Sequence, residues 1–357
     1  MSSVIAPVAT IDKIEPHPNA DRLKLATVLG WQTVIPIDSS WKEGDICVFV
    51  PPDCLLPSKW AEHWGVTKFL AKNNRVRRIN LRGEASYGFI QQIPDDMSVT
   101  IGDNLSDELG LGKYYPPPPK CNGGPNQGKG VRTHPLVQKY TNIESIRNFP
   151  FILEVGEEVV ITEKIHGSNV KIGLVNGEEV ASSMKVQRAK PEHEGESPDE
   201  LVKANRYWGP WFAPGIKDLI YSIYESCKQP AQILLYGEVY GSGIQKGFMY
   251  GLDQDKQGFL SFDILVQGHY LGWEEFHELC TTFGVGTPTI LYRGPFIDLA
   301  HIKTICDGNT SLGGDHVREG GVIRPVVERR AEKGNRVCFK YRTDRYLTGK
   351  FADSQDI

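Results

Sequence analysis

The sequence predicts an α+β protein: a small N-terminal all-β unit, then a larger domain of mixed strands and helices. Three observations predict it. The first ~110 residues hold short β-like runs broken by turn residues. Residues 111–135 have the composition of a linker. From Leu136 onward, strand-like runs alternate with amphipathic ones.

In the first unit the predicted strands are Val8–Ile14, Leu23–Val28, Gln32–Ile37, Ile46–Val50, Arg77–Leu81 and Gly88–Ile93. Pro16, Pro18, Asn19, Gly30, Gly44, Pro51 and Gly83 punctuate them, a spacing that suits a small barrel or a sandwich. The linker holds Pro116–Pro119 and then the glycine-rich run 122–130. Polyproline is a stiff, extended spacer, and glycine adds freedom. In the larger domain, strands are expected at Val159–Thr162, Val170–Leu174, Ile233–Val239, Phe259–Leu265, Gly321–Arg324 and Val337–Arg342. Helices are expected at Ser197–Tyr207, Gly215–Cys227 and Trp273–Phe283. The second helix carries Ile216, Leu219, Ile220, Ile223 and Tyr224, one apolar face at helical spacing. The domain boundaries are therefore 1–110, 111–135 and 136–357.

Composition narrows the function class. The chain has 357 residues, 24% of them charged, with a net charge of −4. There is no global basic field, so a nucleic-acid site must concentrate its cations locally. No apolar run approaches the roughly 18 residues that span a membrane, and no membrane partner is expected. Seven cysteines without a Cys-x-x-Cys pair argue for reduced thiols, a cytoplasmic setting and no zinc.

The chemistry starts at Glu163-Lys164-Ile165-His166-Gly167-Ser168-Asn169, directly after the strand-like Val159-Val160-Ile161. A lysine delivered into such a turn can attack phosphorus once it loses its proton. With a reference pKa near ~10.4 it needs cationic neighbours or desolvation to do so. Lys340 and Arg342 can be those neighbours: alternation on a strand points both to one face. The same cations can hold phosphate oxygens as charge develops. Glu238, in Tyr236-Gly237-Glu238, and Glu319, in Glu319-Gly320-Gly321, each adjoin a strand-like run. Mg²⁺ binds one or two carboxylates together with phosphate oxygens and water, so this pair is a candidate metal site. Phe262, in the aromatic run Phe259–Leu265, can stack on a purine. In the barrel, Arg75, Arg77, Arg78 and Arg82 form a local basic cluster suited to nucleic acid.

In order along the chain these segments spell K-x-H-G-x-N, Y-G-E, F-x-x-F-D, E-G-x-V-I-R and K-x-R. The set resembles the ordered motifs of covalent nucleotidyltransferases. With histidine and asparagine in the first motif, it resembles the RNA ligase 2-like branch. DNA ligases and capping enzymes usually carry aspartate where His166 stands. The segment Ile14–Leu23, with Arg78–Gly83 and Ser86–Ile90, is similar to tRNA-binding OB domains. A barrel of this kind ahead of such a catalytic domain resembles the RNA ligase 5 family.

The resemblance implies an N-terminal β-barrel (OB-fold) joined to a C-terminal nucleotidyltransferase (ATP-grasp-like ligase adenylation) domain of antiparallel sheets with flanking helices. It implies an ATP-dependent RNA ligase that carries AMP covalently on Lys164 with Mg²⁺ or Mn²⁺. Glu163 would sit near the adenine edge and Phe262 against the ring. His166, Gly167, Asn169, Glu238 and Glu319 would surround the phosphate, with Asn169, Glu238 and Glu319 near the metal. Lys340 would contact the α-phosphate. Arg147 matches an upstream phosphate-orienting arginine, and either Lys185 or Arg188 matches a further cation. The implied partner is a nicked duplex with an RNA 3′-OH strand, bound by a monomer. Arg342 departs from the pattern, which usually has a second lysine there.

Two other readings compete: a capping-type guanylyltransferase, and a non-catalytic OB-domain RNA-binding protein. The histidine pattern counts against the first, and the complete motif set against the second. Arg342-Thr343-Asp344-Arg345 resembles the opening of a further C-terminal domain, but too few residues follow for one to be expected. Gly123–Gly130 almost spells a phosphate loop, yet Gly130 stands where the metal-binding hydroxyl belongs.

Overall fold

The computed structural model describes residues 5–95, 97–115, 128–191, 205–331 and 334–349. The polyproline run, most of the glycine-rich run and most of the helix expected at Ser197–Tyr207 lie outside them.

The N-terminal unit is a small antiparallel barrel. One sheet pairs Val8–Thr10, Ile46–Val50 and Phe89–Gln91; another pairs Lys13–Pro16, Leu23–Val28 and Trp31–Pro36. A hairpin, Arg78–Leu81 with Glu84–Tyr87, completes it. The stretch expected as one strand over Val8–Ile14 is two strands. The chain turns a corner there: Ile11 donates its N–H to Asp45 and Asp12 donates to Thr27, so consecutive residues bond different sheets. Closing a barrel requires such corners, which composition does not mark.

The larger domain stacks two sheets. The seven-stranded sheet has Ser168–Val175 and Gln232–Gly241 at its centre, flanked by Glu178–Ser183 and Gln257–Val266. Its Val170, Ile172, Leu174, Ile233 and Leu235 side chains pack under the helices Ile216–Ser226 and Trp273–Thr282, with Trp208 and Trp211. The five-stranded sheet orders Glu144–Ser145, Phe339–Arg342, Gly320–Pro325, Glu158–Glu163 and Ile290–Pro295. One pair in it, Glu144–Ser145 with Phe339–Arg342, is parallel, a departure from the antiparallel expectation. The strand expected from Val337 begins at Phe339. Val337 and Cys338 donate instead to Arg329 and Arg336, closing a loop ahead of the sheet. Five α-helices occur among the described residues, and none is long and apolar enough to cross a membrane.

The two sheets are held together by a buried carboxylate. Asp263, fully buried on the large sheet, pairs with Arg336 and, at 3.3 Å, with Arg324 of the small sheet, and it accepts from Tyr140. Removing one member of a buried ionic cluster strands the others without solvation. Asp263→Ala should therefore lower stability by about 3–5 kcal/mol. A urea denaturation midpoint no lower than that of the unmodified protein would remove this role for Asp263.

Both ends of the linker segment are knit into sheets. Gly112–Lys113 pairs with Cys54–Leu55 of the barrel, and Gly130–Val131 pairs with Gln187–Arg188 of the large sheet. The barrel also shares a core with the larger domain. Ile11, Trp31, Phe49 and Tyr87 pack with Ile165, Phe248, Tyr250, Tyr346 and Leu347. Apolar contact of this kind has no directional preference and is lost only by exposing every member at once, so the barrel is docked and not merely tethered.

Candidate active site

Lys164 is placed by a crossing of the chain between the sheets. The strand Glu158–Glu163 ends on the small sheet, and Ser168–Val175 begins on the large one. The loop between them is pinned on both sides. Lys164 donates its N–H to Gly320, His166 donates to the Tyr250 hydroxyl at 2.6 Å, and Gln245 donates to the Gly167 carbonyl. Gly167 is required by space: a Cβ there would lie 2.3 Å from the Val239 carbonyl oxygen and 2.8 Å from Glu238 Cγ. Gly320 likewise abuts the Tyr341 carbonyl, where a Cβ would lie at 1.8 Å. These two glycines let Lys164, Glu238 and Glu319 converge at the seam between the sheets.

The Lys164 ammonium lies 2.9 Å from both Glu319 oxygens, and His166 Nδ1 is 3.4 Å from one of them. Burial by itself would raise the Glu319 carboxyl, but Lys164 and His166 outweigh it and hold the group at about 2. Glu238 behaves oppositely. Burial, with Glu319 nearby and only partly opposed by Lys164, pushes it up to about 8. It faces Asn169 across the strand pair. Asn169 Oδ1 is buried with no hydrogen-bond partner in the structure. An orphaned amide oxygen beside one proton-bearing carboxyl and one ionised carboxylate is a donor set suited to a hard divalent cation. Among the described residues no group of three or more His, Cys, Asp or Glu side chains is placed to hold a metal ion.

Lys340 occupies the strand opposite Val322. Burial, with Arg342 and Lys164 beside it, pushes its ammonium down to about 7. The unfolded chain holds this proton to near ~10.4. Stability should therefore rise with pH across the interval from about 7 to ~10.4, because the unfolded state binds the extra proton there. A bound phosphate should restore the charge. In calorimetry without divalent metal at pH 8, ATP binding should take up roughly one proton. The uptake should fall sharply in Lys340→Met, leaving only what Glu238, also partly protonated at that pH, contributes; equal uptake in both proteins would exclude Lys340 as its source.

Beside Glu319 and His166, which do not themselves line it, lies a cavity of about 260 Å³, close to the lower end of the ~300 Å³ scale of ligand sites. Lys164, Glu238, Asn169 and Lys340 stand with Phe262, Val322, Tyr140 and Met184 in its wall. A family model described as RNA ligase matches residues 157–342 of this chain, which contain Lys164, Asn169, Glu238, Glu319 and Lys340. The chain belongs to the RNA ligase family. A second model, an OB-fold domain, matches residues 5–93. Among solved structures, a Naegleria gruberi RNA ligase mutant with AMP and Mn is 21% identical. It has a TM-score of 0.64, and the match covers 97% of this chain and 98% of that one. The same organism's RNA ligase with PPi gives 21% identity and a TM-score of 0.62, covering 97% and 98%. At this identity the likeness establishes the fold. A search of curated proteins gives no match.

The structure of this RNA ligase family member brings some sequence-predicted residues together and separates others. Lys164, Glu238, Glu319, Lys340, Asn169, His166 and Gly167 converge. Glu163 and Phe262 line the cavity, but the Glu163 carboxylate is taken up by Thr310, which donates at 2.6 Å, and by the Ser311 N–H. Arg147 lies elsewhere. It is 3% exposed, ion-paired with Asp344 at 3.0 Å, and sandwiched between Trp31 and Tyr341 at the joint with the barrel. Neither Lys185 nor Arg188 lines the cavity: Lys185 is exposed, and Arg188 stacks on Tyr207 and donates to Gly128. Met184 lines it instead. Arg342 and three of the barrel arginines, Arg75, Arg77 and Arg78, line a separate cleft, while Arg82 sits at a hairpin tip outside it.

Sequence reasoning missed Tyr250, Tyr346 and Thr310. Tyr346 places its hydroxyl 3.2 Å from His166 Nδ1, at the end of a chain segment with no motif of its own. Lys171 was also missed. It is 1% exposed and donates to the Met184 carbonyl at 3.3 Å. Its signal was legible: two residues past Asn169 on the same strand, it shares that residue's face.

Proposed function

We propose that this RNA ligase family member is an ATP-dependent ligase that joins 3′-OH and 5′-phosphate ends through a lysyl-AMP intermediate. The observation that carries the reading is the convergence of Lys164 with Glu319, Glu238, Asn169 and Lys340 at one seam. In the first step Lys164 Nζ, having lost its proton, attacks the α-phosphorus. A P–N bond forms and pyrophosphate leaves. In the second step a 5′-phosphate oxygen attacks the same phosphorus. A P–O bond forms, the P–N bond breaks, and the amine regains a proton. In the third step a 3′-hydroxyl attacks the activated 5′-phosphate, loses its proton, and AMP departs. All three are in-line displacements at phosphorus, so one set of cations serves throughout.

The chain's own residues have distinct tasks in this scheme. Lys340 neutralises developing phosphate charge. Glu319 holds the Lys164 ammonium in the resting site and must release it before attack. Asn169, Glu238 and Glu319 would hold Mg²⁺ or Mn²⁺, which withdraws charge from the phosphate. Phe262 and Val322, on opposing sheets, would flank adenine. The barrel and its arginines would grip a nicked duplex whose acceptor strand is RNA. We assign residues 1–110 to nucleic-acid binding and 136–357 to chemistry in a monomeric, zinc-free protein. The six described cysteines are free and five of them are buried, in keeping with a cytoplasmic setting.

The test is incubation with α-labelled ATP or GTP and Mg²⁺, followed by denaturation. Label retained from ATP is the expected result. Label from GTP alone would indicate a capping-type guanylyltransferase, and label from neither a binding protein.

A further inference from the structure

Between the barrel and the catalytic sheets lies the second cleft, of about 420 Å³. Arg75, Arg77 and Arg78 line it from the barrel, and Lys340 and Arg342 from the small sheet. It adjoins the nucleotide cavity: Lys340, Asn142 and Ile143 line both.

Three features specify what fits there. The first is charge. Seven Lys and Arg side chains line the cleft, among them Arg147, which Asp344 already pairs, against two carboxylates, Asp53 and Glu144. Each carboxylate is already engaged, Asp53 by Arg75 and Glu144 by Lys113. A polyanion would relieve this excess. The second is aromatic surface. Tyr114 carries the Arg75 guanidinium 3.9 Å from its ring centre, and Tyr115 beside it is 63% exposed. An open ring flanked by cations suits a nucleobase better than an apolar ligand. The third is position. Only an anion that must reach the phosphorus held at Lys164 gains from a channel that ends at Lys340.

We propose that this cleft receives the 5′-phosphate-bearing end of the polynucleotide, with its terminal phosphate at Lys340 and Arg342 and a base of that strand stacked on Tyr115. The proposal rests on the ligase reading and narrows it. Of the four barrel arginines, Arg75, Arg77 and Arg78 face the strand and Arg82 does not. The terminal phosphate arrives on the side from which it displaces Lys164 from the AMP phosphorus. Departing pyrophosphate has the same phosphate chemistry and would meet the same lysine, but it has no base to stack.

Tyr115→Ala in the full chain separates these occupants. Lysyl-AMP formation from ATP should stay within about twofold of the unmodified protein. In single-turnover transfer from preloaded protein to a 5′-phosphorylated RNA, the half-saturating strand concentration should rise about tenfold, the scale of one lost base stack. The maximal rate should hold, and Tyr115→Trp should restore affinity. A 5′-hydroxyl strand should bind more weakly than the 5′-phosphorylated one to unmodified protein. Unchanged strand dependence in Tyr115→Ala overturns the proposal. So does an equal loss in lysyl-AMP formation, which would place Tyr115 in the nucleotide site and not in strand binding. If the unmodified protein forms no lysyl-AMP, the ligase reading falls; if it does and Tyr115→Ala transfers normally, only the cleft assignment falls.

Discussion

Lys164→Ala is expected to form no covalent nucleotide adduct, a loss of at least about 10³-fold, since no second amine can replace an attacking group. The other lysine of the cavity wall, Lys340, is held on its own strand opposite Val322. The same variant should still seal an RNA strand that already carries AMP on its 5′-phosphate. In that step the attacking atom is the 3′-hydroxyl oxygen, and Lys164 only neighbours the site. The paired measurement is α-labelled ATP for the adduct and a pre-adenylylated nick for sealing. Persistent labelling of Lys164→Ala would move the nucleophile to another residue and undo the assignment of the whole seam.

Glu319→Ala should fold and lose sealing by at least about 100-fold, the scale for removing one electrostatic contributor to phosphoryl transfer. Folding should survive because Lys164, with its side chain 20% exposed, can hydrate its ammonium once the carboxylate is gone. Glu319→Gln adds a test of the electrostatics. The folded carboxyl is held at about 2 by Lys164 and His166 despite burial, against an ordinary value near ~4.3 in the unfolded chain. A depressed carboxyl stabilises the fold above its unfolded pKa, and that stabilisation fades as pH falls toward the folded value. The unmodified protein should therefore lose stability between pH ~4.3 and about 2 more steeply than Glu319→Gln. Parallel acid-unfolding curves, or a fully active Glu319→Ala, would remove Glu319 from both roles.

Much of the site was legible because its residues sit on strands or directly at their ends. On a strand, direction follows from alternation, and a glycine beside a functional residue marks a close approach. Thus Lys164, Glu238, Glu319 and Lys340 could be chosen from local pattern, and the stripe on Ile216–Ser226 faces the core as its spacing predicts. Arg147 shows the limit. Its position before the catalytic strands says nothing of Asp344, which lies far along the chain yet claims its guanidinium. Lys185, in a bend, and Arg188, on the two-residue strand after it, show the same limit: contacts with Tyr207 and Gly128, distant in the chain, take up the Arg188 side chain.

The motif order and the period of the apolar runs were enough to specify a β-rich first unit and a second domain of mixed strands and helices, and to mark Lys164, Glu238, Glu319 and Lys340 as candidates. Those properties are local: strand period, turn chemistry and the identity of reactive groups are written residue by residue. Tertiary structure alone decided that Glu163 turns to Thr310, that Tyr346 reaches His166, and that the barrel docks so as to open a cationic cleft at Lys340. Each of these depends on groups distant in sequence meeting as apolar surfaces close together. That closure is non-directional and leaves no periodic mark in the chain.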